Sequence, residues 1–418
     1  MAAHLTRVPM TSPPDPVGGR PILVVDQGTA LGGSVLVACA LARHAQAFGI
    51  RVGIATAVDP DTIRGRLDPG GPVHHLTKRY SYERHSARAH RWRGHRWWNR
   101  VVLWASLPEQ LWSEVSYLFR LVALIRRERY QLVHLNNGMA NTTAAWAALA
   151  TRRPFVVHYH GYCEPTPMRR FLARRAAAFI AISDSVAASV PAIGARPDQI
   201  VTLLNPLTVS AAGSATSREE TRRRWGVPTG AKVFGIVGRI VKWKGQLEFL
   251  EAASIVLEAL PNAWAVIIGD GADGGGGYSD LVQQRAMAPS VQGRVVLAGF
   301  MENAAELYSG LDVVVHSSTD PEPFGLVISE AMALGIPVVA SPRGAPVELV
   351  EDGATGFLRD PLDPAGVAEA VIRLLQRADV ASSIAEAAQR RIRELCDPRR
   401  FAEAMARLYH SILQGSAA

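Results

Sequence analysis

The segment Glu322-Pro-Phe-Gly-Leu-Val-Ile-Ser-Glu-Ala-Met-Ala-Leu-Gly-Ile-Pro337 is the most informative stretch of the chain. It follows a predicted strand at 312–316, and its pattern predicts a turn that opens a helix. The first amides of a helix have no intrahelical partner and lie at the positive end of the helix dipole, so such a turn suits phosphate. Glu322 precedes the turn, and Glu330 lies about 7.5 Å along the helix from Gly325. The two carboxylates could hold hydroxyl groups on either side of a diphosphate, or they are ordinary surface acids near a helix start.

A second informative loop, Gly-Arg-Ile-Val-Lys-Trp-Lys-Gly at 238–245, follows the predicted strand 233–237. Its cations Arg239 and Lys244 leave the carboxyl end of a strand, where open α/β sheets bind ligands. Two fixed cations there would stabilise the charge on a departing nucleoside diphosphate without a metal ion. The alternative is that both side chains are simply solvated.

Short runs rich in Val and Ile recur along the chain and predict parallel strands that are buried on both faces. One series lies at 22–26, 51–57, 132–136, 155–160 and 179–182, and another at 233–237, 264–268, 295–298, 313–316 and 338–340. We therefore predict an α/β protein of two Rossmann-like domains that face each other across a cleft.

The predicted boundaries follow from composition and periodicity. Residues 1–19 form a disordered leader, 20–206 the first domain, 207–230 a polar linker and 231–397 the second domain. The amphipathic segment 398–414 is expected to form a helix that packs back on the first domain.

Composition limits the class of protein. The chain has 418 residues, a formal charge of +8 and only three cysteines. The basic balance suits nucleotide phosphates, an anionic membrane surface or nucleic acid. The scattered cysteines favour a reducing compartment and no structural metal, and no signal peptide is visible. The apolar stretch 101–125 is interrupted by Pro108 and charged residues and should not span a bilayer. A cytoplasmic protein, at most peripheral on the inner face of the membrane, is expected.

Four motifs, in order, resemble the donor-binding half of the family 4 retaining glycosyltransferases, which have the GT-B fold. They are GRxxxxKG at 238–245, GDG at 269–271, EPFGLxxxEAMAxGxPVVAS at 322–341 and GxxGFL at 353–358. The resemblance implies a retaining enzyme that takes a sugar from a UDP- or GDP-sugar and requires neither a metal nor another cofactor.

The resemblance also implies roles for individual residues. Arg239 and Lys244 would contact the diphosphate. Glu322 would contact the sugar hydroxyls, and Glu330 would contact the ribose. The HG pair at 160–161 implies that His160 faces the reaction centre, although a lone histidine at a strand end is commonly structural. The remaining implied donor-binding positions are Gly32, Gly33, Gly238, Gly269, Gly271, Phe324, Gly325 and Leu326.

Departures from the family pattern leave the acceptor open. Ser34, Val35 and Leu36 follow the first glycine pair, where the family often has an acid and an arginine. Lipid-linked, saccharide and natural-product acceptors, as in bacterial cell-surface glycan or glycoconjugate synthesis, all remain. Alternative functions are a sugar-nucleotide epimerase of GT-B-like fold and a non-catalytic sugar-nucleotide-binding protein.

The stretch 78–112 is rich in arginine and tryptophan and admits three interpretations. It could be a solvated loop, a nucleic-acid patch or a segment that lies at a membrane interface. Aromatic residues among cations, next to an apolar segment, favour contact with an anionic membrane. Nucleic acid is the least favoured partner because no nucleic-acid-binding module is present.

Overall fold

The computed structural model describes residues 19–28, 31–67, 71–78, 96–209, 217–271, 277–291, 293–301 and 304–415. Several sequence predictions fall outside these ranges, namely those for most of the leader, for residues 79–95 of the Arg/Trp stretch and for residues 210–216 of the linker. The described chain divides into two compact units. Unit 1 contains Met1–Ile182, Ala187–Leu203 and Pro398–Ala418, and unit 2 contains Ser183–Val186 and Leu204–Asp397.

Each unit is built around a parallel β-sheet. The strands of unit 1 are β1 (Arg20–Val25), β2 (Ile50–Thr56), β3 (Val73–His75), β4 (Leu132–Leu135), β5 (Phe155–Tyr159), β6 (Ala178–Ala181) and β7 (Ile200–Thr202). The strands of unit 2 are β8 (Lys232–Val237), β9 (Ala263–Ile268), β10 (Val295–Gly299), β11 (Val313–His316), β12 (Val338–Ala340) and β13 (Phe357–Leu358). The orders are β3-β2-β1-β4-β5-β6-β7 and β10-β9-β8-β11-β12-β13, so the predicted α/β fold class is confirmed.

Helices connect the strands and cover the sheets. In the first half of the chain they are α1 (Gly33–Ala45), α2 (Pro60–Leu67), α3 (Arg96–Arg127), α4 (Thr142–Ala150), α5 (Pro167–Ala173) and α6 (Asp184–Ala187). In the second half they are α7 (Arg218–Arg224), α8 (Gln246–Ala259), α9 (Tyr278–Ala286), α10 (Ala304–Ser309), α11 (Leu326–Ala333), α12 (Pro346–Leu349), α13 (Pro364–Gln376), α14 (Ala378–Leu395) and α15 (Pro398–Gly415). Among the helices that the structure describes, none has the length and hydropathy needed to cross a bilayer.

The last helix, α15, completes the core of unit 1. Its buried residues Phe401, Met405 and Tyr409 recur every four positions, which places them on one helix face. They join the hydrophobic core formed by α1 and by strands β1 and β2. The segment that follows unit 2 therefore returns to unit 1.

Helix α7 lies inside the stretch that the sequence predicted as a linker, and it is anchored to unit 2 by Arg222. This guanidinium donates to the carbonyls of Gly310 and Ala231, each at 2.9 Å, and to Asp312 Oδ2 at 2.8 Å. Asp312 Oδ2 also accepts from the backbone N–H of Val233, at 2.7 Å. One arginine therefore ties α7 to the starts of the two central strands, β8 and β11.

We expect Arg222→Ala to lower the free energy of unfolding by about 2 kcal/mol, because it leaves Asp312 and two carbonyls without their shared donor. Arg223→Ala is the matched control, since the Arg223 side chain is 77% exposed and, among the residues that the structure describes, pairs with Glu220 of its own helix. That variant should change stability by less than about 0.5 kcal/mol. Urea denaturation followed by circular dichroism measures both, and equal losses would show that Arg222 is not an anchor.

Candidate functional site

In unit 2, the centre of the candidate site is the carboxylate of Glu322, which is only 7% exposed. Its Oε2 accepts hydrogen bonds from Lys244 Nζ at 2.6 Å and from His316 Nε2 and Ser318 Oγ, each at 3.0 Å. Burial alone would raise the pKa of Glu322, but the hydrogen bond from His316 and the charge of Lys244 lower it to about 2. The group is therefore a carboxylate throughout the physiological pH range.

The loop that carries Lys244 is held against the loop after β11. The N–H of Thr319 donates to the carbonyl of Trp243 at 2.8 Å, and the Lys244 ammonium lies 4.1 Å from the centre of the Trp243 ring. Gly245 has φ +73°, and a Cβ there would lie 1.9 Å from the Ser317 carbonyl oxygen. Only glycine allows this approach, so the glycine after Lys244 fixes the distance between Lys244 and Glu322.

Glu322 is also fixed through its backbone. Its N–H donates to the Arg343 carbonyl, and its own carbonyl accepts from the N–H of Ala345, both at 2.9 Å. Three residues later Gly325 caps α11 at φ +92°, in the left-handed region that favours glycine. The predicted turn thus opens a helix directly after the carboxylate. Phe324 is buried and Leu326 is half-buried beside it.

Glu330 lies on α11 and is oriented by a residue that sequence reasoning missed. The hydroxyl of Tyr308 on α10, which is 1% exposed, donates to Glu330 Oε2 at 2.9 Å. Burial raises the pKa of Glu330, and the hydrogen bond from Tyr308 opposes that rise. Tyr308 therefore occupies one oxygen of a carboxylate that is still partly exposed.

Arg239 stands apart from this cluster. Its side chain is exposed, and its backbone carbonyl accepts from Gln246 Nε2 at 2.9 Å. Close packing requires glycine at 269, since a Cβ there would lie 2.0 Å from the Gly238 carbonyl oxygen, whereas Gly238 itself has φ +147°. Next to them, the N–H of Ile240 donates to the Asp270 carbonyl at 2.8 Å, and Gly271 pairs with Ile240. The structure thus brings Lys244 and Glu322 together, with Gly238 beside Lys244 and Gly325 beside Glu322, whereas the Arg239 side chain is exposed.

In unit 1, Asp26 is the centre of a second polar cluster, which the sequence did not reveal. Its fully buried carboxylate accepts from Asn136 Nδ2 at 2.7 Å, Asn137 Nδ2 at 3.0 Å and the N–H of Gly28 at 2.7 Å. The Oδ1 of Asn136 lies 3.3 Å from His160 Nε2, and its Nδ2 also donates to the carbonyl of Ser34 at 2.8 Å. The predicted His160 is therefore linked through Asn136 to the start of α1.

The predicted glycine pair lies at the same edge of that sheet. Gly32 caps α1 at φ −102°, an extended conformation, and Gly33 is its first residue. Helix α1 thus begins beside the Asp26 cluster. Within the described ranges, no group of three or more His, Cys, Asp or Glu side chains is arranged to hold a metal ion.

Three histidine rings form a row from the edge of this sheet into its core. The ring centres of His160 and His158 are 4.3 Å apart, and those of His158 and His134 are 5.2 Å apart. The row ends at Tyr409 of α15, whose hydroxyl lies 2.5 Å from His134 Nδ1. Burial lowers the pKa of His160 to about 4 and that of His134 to about 3, and it holds the pKa of His158 well below its usual value.

Comparisons with known proteins identify a family for each half of the chain. Residues 217–391 match the family described as "Glycosyl transferases group 1", and residues 32–206 match the "Glycosyl transferase 4-like domain". The chain belongs to the group 1 glycosyltransferases. The resemblance stated from the sequence motifs is thereby confirmed.

Individual relatives support the same family and the GT-B fold. The D-inositol 3-phosphate glycosyltransferase of Corynebacterium urealyticum is 33% identical over 180 residues, which cover 42% of each chain. The structure of HepE from Anabaena with UDP and glucose has a TM-score of 0.75 and 25% identity, over 93% of this chain and 99% of that one. Sucrose-phosphate synthase of Thermosynechococcus elongatus has a TM-score of 0.70 and 21% identity, over 95% and 100% of the two chains. The alignment with the Corynebacterium urealyticum enzyme thus spans about two fifths of the length of that protein.

The buried histidine row predicts a pH-dependent stability. Because the folded pKa values lie below that of a free histidine, the unfolded chain binds more protons, and stability falls as pH drops below about 6.5. We expect His158→Leu to reduce this fall by up to about 1.4 kcal/mol per pH unit between pH 6.5 and 5. Urea denaturation at several pH values measures it.

The matched control is His75→Leu, which removes an exposed histidine at the edge of the same sheet. It should keep the pH slope of the unsubstituted protein. An unchanged slope in His158→Leu would mean that the fold does not hold this ring in its neutral form.

Proposed function

We propose that the protein transfers a sugar, with retention of configuration, from a UDP-sugar to an acceptor hydroxyl. The observation that carries the proposal is the Lys244–Glu322 pair at the carboxyl edge of the unit 2 sheet. A fixed ammonium next to a permanently ionised carboxylate provides one group for a phosphate and one acceptor for a sugar hydroxyl. The choice of UDP over GDP is supported by HepE, whose structure holds UDP and glucose.

In this proposal Lys244 and Arg239 bind the diphosphate. Lys244 is already fixed by Glu322 and Trp243, whereas the exposed Arg239 would close on the nucleotide after it binds. The first amides of α11, behind Gly325, face the same charge through the helix dipole. Glu330 receives the ribose, because Tyr308 occupies one oxygen and the other can accept from a ribose hydroxyl.

His160 is proposed to orient the sugar or the acceptor, since its ring is held neutral and is linked through Asn136 to the Asp26 cluster. A neutral imidazole can donate one hydrogen bond and accept another. The acceptor is proposed to be a lipid-linked, saccharide or natural-product hydroxyl compound in bacterial cell-surface glycan or glycoconjugate synthesis. The reaction is proposed to take place in the cytoplasm or at the inner face of the membrane, without a metal ion.

We expect UDP to bind the protein in the presence of EDTA, and more tightly than GDP, ADP or dTDP. Glu330→Ala should weaken UDP binding at least about tenfold, because a hydrogen bond to a charged acceptor is lost. Isothermal titration calorimetry measures these affinities. The matched control is Glu258→Ala, an exposed acid on α8, which should bind UDP normally. Failure of every nucleotide to bind would refute the donor site.

Turnover separates the proposed function from its alternatives. With UDP-glucose and no acceptor, a transferase of this type should release UDP slowly by hydrolysis. A new sugar nucleotide, detected by ion-exchange chromatography, would instead indicate an epimerase. Binding of UDP without any release of sugar, under all acceptors tried, would favour a non-catalytic nucleotide-binding protein.

Tyr308 should determine the preference for ribose. We expect the protein to bind UDP about tenfold more tightly than 2′-deoxy-UDP, and Tyr308→Phe to narrow this ratio to about threefold. The reason is that the Glu330 carboxylate loses the hydrogen bond that fixes its orientation. Calorimetry with the two nucleotides measures the ratio.

The control for this variant is Tyr278→Phe, which removes a hydrogen-bonded hydroxyl from α9, where it accepts from the N–H of Leu247. It should leave the ribose preference intact. A Tyr308→Phe protein that binds both nucleotides more weakly by the same factor would show that Tyr308 supports the fold only.

A further inference from the structure

Helix α3 exposes an apolar face that the proposed function does not use. Leu111, Trp112 and Phe119 are 70%, 64% and 68% exposed. With the less exposed Leu107 and Val115, they form what we call the outer stripe. Four of its members are spaced by four residues, which places them along one side of the helix. An exposed row of large apolar and aromatic side chains is unusual on a protein surface unless it meets a partner.

The opposite face of α3 accounts for how the helix is held. Tyr117, Leu121 and Ile125 are fully buried against unit 1. Because this face is buried, the helix already packs through one apolar face, and the outer stripe is a second apolar face. Helix α3 is therefore apolar on two sides, of which the described part of the protein covers one.

Contacts of Glu114 show where α3 lies relative to the unit 1 sheet. Its carboxylate pairs with Lys78, which follows the end of β3, and accepts from Thr143, in the first turn of the helix after β4. Glu114 is thus level with the carboxyl edge of the sheet. The helix ends at Arg127, before β4 begins, so residues 96–113 lie on the other side of Glu114 from the start of β4.

The charges of α3 favour an anionic partner. The helix sequence contains five arginines and two glutamates, a net charge of 5 − 2 = +3. Glu114 is committed to Lys78, and Glu109 lies about 200° around the helix from Leu111. The exposed Arg126 lies within about 60° of Leu111, on the same side as the outer stripe. The stripe therefore combines apolar and aromatic side chains with a cation, and the acid beside it, Glu114, is paired with Lys78.

We propose that the outer stripe docks on the surface of an anionic lipid bilayer, with α3 lying in the plane of the interface. Trp112 and Phe119 enter the boundary between headgroups and acyl chains, while Arg126 meets a lipid phosphate. The membrane contact itself is independent of the proposed function, but its consequence for the acceptor rests on that function. The contact brings the carboxyl edge of the unit 1 sheet, where His160 lies, close to the membrane surface, and it favours an acceptor that is carried by a lipid.

The test is co-sedimentation of the full chain with vesicles of phosphatidylcholine, with and without phosphatidylglycerol. The protein should bind the anionic vesicles more tightly, and more weakly as salt is added. The double variant Leu111→Ser/Phe119→Ser should lower the vesicle partition coefficient at least about tenfold. The matched control is Leu281→Ser/Met287→Ser, which removes two exposed apolar side chains from unit 2 and should bind as the unsubstituted protein does.

Two results would overturn the proposal. One is equal vesicle binding by the stripe variant and the control. The other is an unsubstituted protein that is dimeric in analytical ultracentrifugation and becomes monomeric in the stripe variant, since the stripe would then be an interface between two copies. UDP binding is measured on the same samples. The stripe variant should still bind UDP. If the unsubstituted protein does not bind UDP, the proposed function is refuted, but the vesicle-binding result is unaffected.

Discussion

A buried carboxylate at the carboxyl edge of a parallel sheet is the constraint on which unit 2 depends. A buried charge is tolerated only when it is surrounded by hydrogen-bond donors. Glu322 meets this demand with donors from the loops after β8 and β11, so those two loops must approach each other closely. The approach leaves no room for a side chain at Gly245, where a Cβ would lie 1.9 Å from a carbonyl oxygen. The glycine of the Lys-Gly pair thus serves the geometry of the carboxylate, not a direct contact with a ligand.

Unit 1 solves a similar problem differently. Asp26 is buried and is satisfied by two asparagine side chains and a backbone amide. The neighbouring imidazoles are neutral, because burial lowers the pKa of each of them. Among the described residues, neither ring nitrogen of His158 has a hydrogen-bond partner. Such a group costs stability that a leucine would not. The row of three histidines therefore lowers stability, as features retained near functional groups often do. The histidine at the sheet-edge end of the row is His160.

The sequence predicted the fold well where strands are buried on both faces. All ten predicted strands are present within a residue or two of their predicted limits, whereas β3, β7 and β13 were missed. Each missed strand lies at an edge of its sheet and has two or three residues. An edge strand packs on fewer neighbours, so its sequence needs no long apolar run. The apolar pattern on which strand prediction rests is therefore weakest there.

The candidate site was predictable to the extent that its residues belong to recognisable motifs. Glu322 and Lys244 belong to quoted motifs, but their partners His316 and Ser318 do not. Those two were nonetheless signalled, because polar residues stand directly where a buried strand ends. Tyr308 carried no such signal, since its alignment with Glu330 depends on how α10 packs against α11. The exposure of Arg239 likewise depends on loop packing, which local sequence does not determine.

The state of Glu322 limits what this carboxylate can do in the proposed transfer. A group whose pKa is held at about 2 is a very weak base, so it would not remove the proton of an acceptor hydroxyl. It can accept a hydrogen bond from a sugar hydroxyl and fix the position of Lys244, and both roles need the ionised form. His160 is neutral but also weakly basic, because burial lowers its pKa to about 4. Neither side chain is suited to hold the proton at neutral pH, so in the proposed transfer an oxygen of the departing phosphate, which the proposal places beside Lys244, would be the better acceptor for it. In that proposal the polar groups act by position and charge, and the buried hydrogen bonds around Glu322 and Asp26 hold them in place.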